Sequence, residues 1–426
     1  MSDTTPRPAH TRVRPRHARR LHHRIIIPAV ASVLLAVMGF YGTYVTASAA
    51  LIQANANTQD ISSLLGDTGS SDYISAPVAS GSAAANPVDS NAGQAINILV
   101  IGSDVRSGEN AALGGYVAGA RGDTTIIVHI SADRQRVELV SIPRDARVQI
   151  STCESFDGKV QKGWLAKFNV AFANGYDFNN DPSEAAACVM RTVTDLTGVE
   201  FNGNYIVADF AGFKDMVNAL GGVPMCIPYD MVSKKADLNL KAGAQILYGD
   251  DALALARARY GLGDGTDLGR IQRQQELIGA ILKKALSVNA FTNIDVLTQF
   301  VKAATQSFTM SENFGSVSYD FGLLYSLRNI DLANVTMVTT PWAYAGDGSG
   351  DVVITSEAKK YWTALINDQP IADIANSTST TASPDPSASA SAATDEALMY
   401  LPIPPEGSYV VERQTEDQIL AACTTG

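Results

Sequence analysis

Histidine is nearly absent from the part of this 426-residue chain that could fold: His10, His17, His22 and His23 precede residue 24, and only His129 follows. That scarcity excludes Ser-His-Asp and Cys-His relays and His-ligated zinc from the bulk of the chain. His129 itself sits in "IIVHIS", where a strand residue is expected rather than a catalytic one. The four cysteines, Cys153, Cys188, Cys226 and Cys423, form no C-x-x-C pair, which argues against zinc ribbons and thioredoxin-type exchange. No G-x-x-x-x-G-K-[ST] and no strand-linked G-x-G-x-x-G occurs, so the glycine cradles of nucleotide enzymes are missing. Basic residues are outnumbered, 32 to 43, for a net charge of -11. Chemistry is left to carboxylates, arginine, lysine and hydroxyls.

The charge is unevenly divided. Residues 1–24 hold seven arginines and one acid, Asp3, while the remainder carries 25 basic and 42 acidic residues, net -17. Between the two parts, "IIIPAVASVLLAVMGFYGTYVTA" (25–47) has no charge. As a helix it would span about 34 Å, enough for a hydrocarbon core of roughly 30 Å. The run exceeds the roughly 7 to 15 residues usual for a signal-peptide core, which favours a retained anchor over a cleaved leader. Arginine excess before the span predicts a single-pass cell-membrane protein with a cytoplasmic N-terminus and an extracellular remainder. The basic tail reads as an orientation signal and anionic-lipid contact, not as a nucleic-acid site. An even cysteine count outside the membrane suggests disulfides, and a Cys153–Cys188 bridge would contribute roughly 3 to 4 kcal/mol by closing its loop. Sequence alone leaves the pairing open.

Composition divides the chain further. Residues 1–24 read as a basic tail, 25–47 as a transmembrane helix and 48–94 as an extracellular linker, rich in Gly, Ser, Ala and Pro over 67–94. The folded domain is expected over 95–369, a low-complexity linker over 370–397, and a C-terminal segment that docks back over 398–426. Within the domain, "INILVIGSD" reads as a buried strand and "TTIIVHISADRQRVELVSIPRD" as two strands. "SEAAACVMRTVTDLTGV" reads as a helix capped by Ser183, and "FNGNYIVADFAGFKDMVNALGGVPMCI" as strand, helix, glycine stop and strand. Helices follow at 267–287, 293–307 and 356–368, with a strand at "VTMVTTPW". This order predicts an α/β fold, an α-β-α layered sandwich with a mixed central sheet, preceded by one N-terminal transmembrane helix.

Arginine and aspartate recur together at strand ends: Asp104 with Arg106, Arg121 with Asp123, and Arg144 with Asp145 and Arg147. Surface ion pairs are common and weak, but strand ends are where open α/β sheets form clefts. In "YGDDALALARARYGLGDGTDLGRIQRQQELIGAIL", a helix beginning at residue 267 places Arg270 and Gln274 on its apolar face with Ile271, Leu277, Ile278 and Ile281, and turns Arg273 and Glu276 outward. An inward guanidinium needs an anionic partner. Extended chain through "LARARY" would bring Arg257 and Arg259 to one side. Phosphate suits such convergent arginine forks, and nearby aspartates suit Mg²⁺.

The ordered segments "ILVIGSDVR", "RGDTTIIVHI", "VSIPRDARV", "KFNVAFANG", "LGGVPMCIP", "LKAGAQILYGDDALALARARY" and "DLGRIQRQQELI" resemble the LytR-CpsA-Psr proteins, membrane-anchored cell-wall glycopolymer ligases of Gram-positive bacteria. "TCES" and "AACVM" resemble the actinobacterial branch, for which Cys153–Cys188 is the expected disulfide. The resemblance implies a phosphotransferase that moves a glycan phosphate from a polyprenyl-pyrophosphate carrier to an acceptor hydroxyl on peptidoglycan or a surface protein. It implies Mg²⁺ (or Mn²⁺) on Asp104 and Asp123, catalytic roles for Arg121, Asp123, Arg144, Arg257, Arg259 and Arg270, and substrate contacts from Lys167, Asn169, Arg257, Arg259, Arg270 and Gln274. It also implies an apolar tunnel for the polyprenyl chain between sheet and helices, with aliphatic residues around Phe168, Phe172, Phe210 and Phe213 as expected lining. Two features depart from the family pattern: a long Gly-Ala-rich gap, "SGENAALGGYVAGA", and an expanded "GLGDGTDLGR". Two other readings compete: a polyprenyl-pyrophosphate hydrolase, and a non-catalytic membrane-bound regulatory or glycolipid-binding module.

Overall fold

The computed structural model describes residues 56–66, 89–105, 110, 120–258, 267–286, 294–378, 409–410 and 423. All belong to one compact unit, Ile52–Gly426; a preceding unit, Met1–Leu51, contains the apolar run 25–47 and lies outside the described residues. Among the described residues no helix is long and apolar enough to cross a membrane.

The fold is mixed α/β around a mixed sheet. Its eight strands are β1 (Asn57–Thr58), β2 (Ile96–Ser103), β3 (Gly122–Ile130), β4 (Val137–Ile142), β5 (Tyr205–Ala208), β6 (Thr309–Met310), β7 (Val335–Thr339) and β8 (Tyr409–Val410), in the spatial order β1-β6-β5-β2-β3-β4-β7-β8. The β1/β6, β2/β5 and β4/β7 pairs are parallel; β5/β6, β2/β3, β3/β4 and β7/β8 are antiparallel. The central strands read as almost unbroken apolar runs because both faces are covered. Leu99, Ile101, Ile127, Val140 and Ile142 enter one core, and Ile98, Ile126, Ile130 and Leu139 the other, as the two-residue period of a strand requires.

Helices α1 (Val170–Asn179) and α2 (Pro182–Thr197) cover the first face. The second face takes α3 (Phe210–Ala219), α4 (Gly249–Arg257) and α5 (Asp267–Ala285), joined by α6 (Ile294–Ser307) and α7 (Val317–Ser326). The last two, α8 (Ala358–Ile366) and α9 (Ala372–Thr378), return to the first. The cap of α2 is Asp181 rather than the expected Ser183: its carboxylate accepts from the Ser183 N–H at 2.7 Å, with Pro182 pre-set at the first helical position. Helices α1 and α2 meet at Gly175, where an added Cβ would stand 2.4 Å from the Glu184 carbonyl oxygen. Cys153 is bonded to Cys188, which ties a β-ribbon to α2, and Cys226 is bonded to Cys423. Buried His129 pairs with Asn97 at 2.7 Å and Asp368 at 3.0 Å, consistent with a strand position.

The folded unit reaches beyond the expected 95–369. Ile61, Leu64 and Leu65 are buried in the first core and Asn57–Thr58 form an edge strand, so this part of the expected 48–94 linker is packed. Ile371 and Ala375 are buried as well, at the start of the expected 370–397 linker. Apolar patches this short carry no periodicity, and only the surface they meet reveals them.

Candidate functional site

The carboxyl ends of β2, β4 and β7 meet the start of β3 at one rim of the sheet, since Gly102 pairs with Thr124, Thr125 with Ile142, and Thr339 with Ser141. Such rims form ligand crevices in open α/β sheets. The register of β2 shifts at Gly102/Ser103, and a bulge of this kind re-aims the chain just before Asp104. The Asp104 carboxylate then accepts from the Arg121 N–H at 2.6 Å, and the Asp104 N–H donates to the Arg121 carbonyl at 3.0 Å. These bonds clip the loop ends on either side of the Gly-Ala-rich gap. The Arg121 residue is exposed.

Arg144 leaves β4 through Pro143 and turns its guanidinium between two acids. Nη1 donates to Asp123 Oδ1 at 2.8 Å and Nε to Asp145 Oδ2 at 3.3 Å. The other Asp145 oxygen accepts from Lys167 Nζ at 3.2 Å, and Lys167 also reaches Asp351 at 2.9 Å. The Asp351 carboxylate, with help from Asp145, holds the Lys167 ammonium above its ordinary pKa. Asn169 is buried beside this turn, its N–H donating to the Arg144 carbonyl at 3.0 Å.

The second wall comes from α4 and α5. Gln274 accepts from the Thr124 hydroxyl at 3.3 Å and donates to the Ala256 carbonyl at 3.0 Å, so it bridges β3 to the C-terminal turn of α4. Gln275 donates to Thr339 Oγ1 at 2.6 Å. Arg257, in that last turn of α4, lies over the Phe210 ring at 4.7 Å. A cavity opens among Asp123, Thr124, Arg144, Gln274, Gln275 and Thr339, with Ile126 and Ile278 also in its lining.

The structure thus gathers Asp123, Arg144 and Gln274 around one cavity, with Lys167 joined to Arg144 through Asp145 and Arg257 beside the carbonyl that Gln274 holds. Arg106, Arg259 and the side chain of Arg270 lie outside the described residues; residue 270 itself is one turn before Gln274 on α5. Arg273 corrects the helical-face expectation. It is buried, with Nη2 donating to the Ala258 carbonyl at 2.7 Å, because the end of α4 packs against the flank of α5 expected to face solvent. Of the phenylalanines around which the tunnel lining is expected, Phe168 and Phe172 belong to the first core and Phe213 packs against the second. Sequence reasoning missed Asp351, and also Thr124, Gln275 and Thr339. The acid-glycine-serine turn "GDGSGD" was the available signal for Asp351.

Asp104 and Asp123 stand at the facing ends of β2 and β3 and offer hard oxygen donors. Among the described residues no group of three or more His, Cys, Asp or Glu is assembled for a metal. Two carboxylates still fit Mg²⁺, which commonly takes one or two from the protein and the rest from water and substrate phosphate.

The model of the LytR_cpsA_psr family matches residues 64–361. The chain belongs to this family. Among curated relatives, it is 29% identical over 284 residues to cell wall biosynthesis protein LcpA of Corynebacterium glutamicum, covering 62% of this chain and 53% of that protein. It is 31% identical over 221 residues to polyisoprenyl-teichoic acid–peptidoglycan teichoic acid transferase TagU of Bacillus cereus, covering 51% of this chain and 62% of that protein. The match therefore spans about half to three fifths of these relatives' lengths. Among solved structures, protein gbs0355 of Streptococcus agalactiae superposes with a TM-score of 0.51 at 22% identity, over 64% of this chain and 87% of that one, which supports the shared fold.

Proposed function

We propose that this LytR_cpsA_psr protein is a membrane-anchored phosphotransferase that moves a glycan phosphate from a polyprenyl-pyrophosphate carrier to a cell-wall acceptor hydroxyl, on peptidoglycan or a surface protein. The observation that carries the reading is Arg144, 13% exposed, held between Asp123 and Asp145 on the wall of a cavity that Ile126 and Ile278 also line. A guanidinium already held by two carboxylates can meet a diphosphate without reorganising, and that favours charge developing there. Lys167 adds a second cation through the shared Asp145, and Arg257 a third from the end of α4. Gln274 orients the polar side of the cavity, and Ile126 and Ile278 suit the first carbons of a polyprenyl chain. The names of the relatives LcpA and TagU agree with a cell-wall polymer as cargo and, for TagU, with a polyisoprenyl carrier and a peptidoglycan acceptor.

Asp104 and Asp123 are the residues that would hold Mg²⁺ or Mn²⁺; a bound ion there would offset negative charge on the diphosphate. In the reaction the acceptor hydroxyl gives up its proton to solvent and its oxygen bonds to the sugar-proximal phosphorus, the bridging P–O bond breaks, and polyprenyl phosphate leaves with both bonding electrons. Arg144, Lys167, Arg257, Arg259 and Arg270 would stabilise the charge that gathers on the transferring and departing phosphates. The apolar run 25–47 would anchor the chain with its fold on the outer side, where the carrier lipid presents its glycan.

The test incubates the full-length protein in detergent with a polyprenyl-pyrophosphate oligosaccharide, peptidoglycan fragments and Mg²⁺. A glycan phosphodiester on an acceptor hydroxyl, found by mass spectrometry together with released polyprenyl phosphate, is the expected product. Glycan phosphate freed to water with acceptor present would identify a hydrolase, and an intact donor a binding module.

A further inference from the structure

Seven charged side chains alternate in one file at the mouth of the site: Asp123, Arg144, Asp145, Lys167, Asp351, Arg147 and Asp347, joined by contacts of 2.8, 3.3, 3.2, 2.9, 2.6 and 2.6 Å. The first four come from the rim of the sheet and the ribbon in which Arg147–Gln149 pairs with Leu165–Lys167. Asp347 and Asp351 arrive from a separate hairpin, Trp342–Tyr344 paired with Val352–Ile354, that lies against the same turn because the Val352 N–H donates to the Asp145 carbonyl at 3.2 Å.

The hairpin turn is built around a guanidinium. Asp347, Ser349 and Asp351 alternate with Gly346, Gly348 and Gly350, whose φ angles of 75°, 78° and 77° require glycine. The three polar side chains close on Arg147: Asp347 Oδ2 at 2.6 Å from Nη1, Ser349 Oγ at 3.0 Å from Nη2, and Asp351 Oδ2 at 2.6 Å from Nε. One oxygen of Asp351 is fixed in this way, and the other is aimed at Lys167. Asp351 is 10% exposed on its side chain, against 42% for Lys167. A flexible, solvent-reached ammonium is thus held by a rigid, shielded carboxylate. Asp351 does not line the cavity, whereas Asp123 and Arg144 do.

We propose that Asp351 is a positioning residue of the transfer site: locked by Arg147, it fixes the Lys167 ammonium, and through Lys167 it sets Asp145 and the Arg144 guanidinium for the diphosphate. The inference rests on the reading of the site as a diphosphate-binding one. Without Asp351 the Lys167 side chain keeps a single anchor and regains rotamer freedom, and Asp145 then shares its charge between two cations whose positions are no longer set. Misplacement of a positioned group by about 1 Å can cost on the order of a hundredfold.

The experiment is a double-mutant cycle of Asp351→Asn and Lys167→Met in the full-length protein. It is read by calorimetric affinity for geranylgeranyl pyrophosphate, by kcat and KM for transfer, and by melting temperature. Asp351→Asn is expected to lower kcat and donor affinity by about 10- to 100-fold, yet to add less than about threefold in the Lys167→Met background. Asp351→Glu, which keeps the charge, is expected to recover part of the loss. Asp347→Asn, which loosens the same turn one contact further from Lys167, is expected to lower both by clearly less than Asp351→Asn does. Additive losses in the cycle, or an Asp347→Asn variant as impaired as Asp351→Asn, would overturn the proposal. So would a crystal structure of the Asp351→Asn protein with Lys167 and Arg144 still in place, a readout independent of activity. A wild-type protein that binds no diphosphate and transfers nothing would instead remove the functional reading, leaving that crystal structure to judge Asp351.

Discussion

Replacing Arg144 with methionine keeps the side-chain bulk and removes the guanidinium, which separates what the residue does for the fold from what it does for a substrate. In the protein alone its charge-assisted bonds include those to Asp123 at 2.8 Å and Asp145 at 3.3 Å. Both acids are partly solvated, at 30% and 25% exposure, and Asp145 retains Lys167. Partly exposed pairs contribute about 0 to 1 kcal/mol each, so unfolding stability should fall by no more than about 2 kcal/mol, or a few degrees in melting temperature. A bound diphosphate changes the accounting: each charge-assisted bond there contributes about 1.5 to 3 kcal/mol, and one guanidinium can make two. The loss of about 3 to 6 kcal/mol corresponds to roughly 10²- to 10⁴-fold in transfer. The assay follows release of polyprenyl phosphate under single-turnover conditions, alongside a melting curve on the same preparation. A folded Arg144→Met protein that transfers within about threefold of wild type would refute the reasoning, because no other described guanidinium lines this cavity.

Arg273→Ala is expected to destabilise the protein by about 2 to 3 kcal/mol in denaturant unfolding, since it empties a buried position and takes the donor from the Ala258 carbonyl; donor affinity should also weaken, because Ala258 adjoins Arg257, and an unchanged midpoint would count against that packing. The Asp347 carboxyl is lowered from 3.8 to about 2 by the Ser349 hydroxyl and N–H and by Arg147. A depressed acid adds stability above its unfolded pKa and loses it as pH falls through the folded value, so stability measured from pH 4 down to 2 should drop less steeply in Asp347→Asn than in wild type; parallel curves would show that the turn contributes nothing to acid sensitivity.

Much of the sheet was legible because it is built from runs that only a doubly covered strand tolerates, such as "ILVIGS" and "TTIIVHI". The strand-helix-glycine-strand reading of 205–227 held for the same reason: Tyr205–Ala208, Phe210–Ala219 and Val223–Ile227 are each strongly patterned, and Gly221 and Gly222 take positive φ between them. The site was harder. Helical phase alone gave α5 one buried face, but α5 has neighbours on two sides, the sheet and the end of α4, so its buried arc is wide enough to include Arg273. Asp351 stands 204 residues from its partner Arg147, a pairing that no local pattern encodes.

Both margins of the eight-stranded sheet are finished by strands of two residues, Asn57–Thr58 at one and Tyr409–Val410 at the other. Each stub hides a flank that would otherwise offer hydrogen-bonding groups to a neighbouring molecule, and each is too short to recruit one itself. A truncated version trimmed to residues 95–369 would lose both stubs and leave the outer sides of Thr309–Met310 and Val335–Thr339 bare. Self-association in such a preparation would reflect the trimming, not the habit of the whole chain.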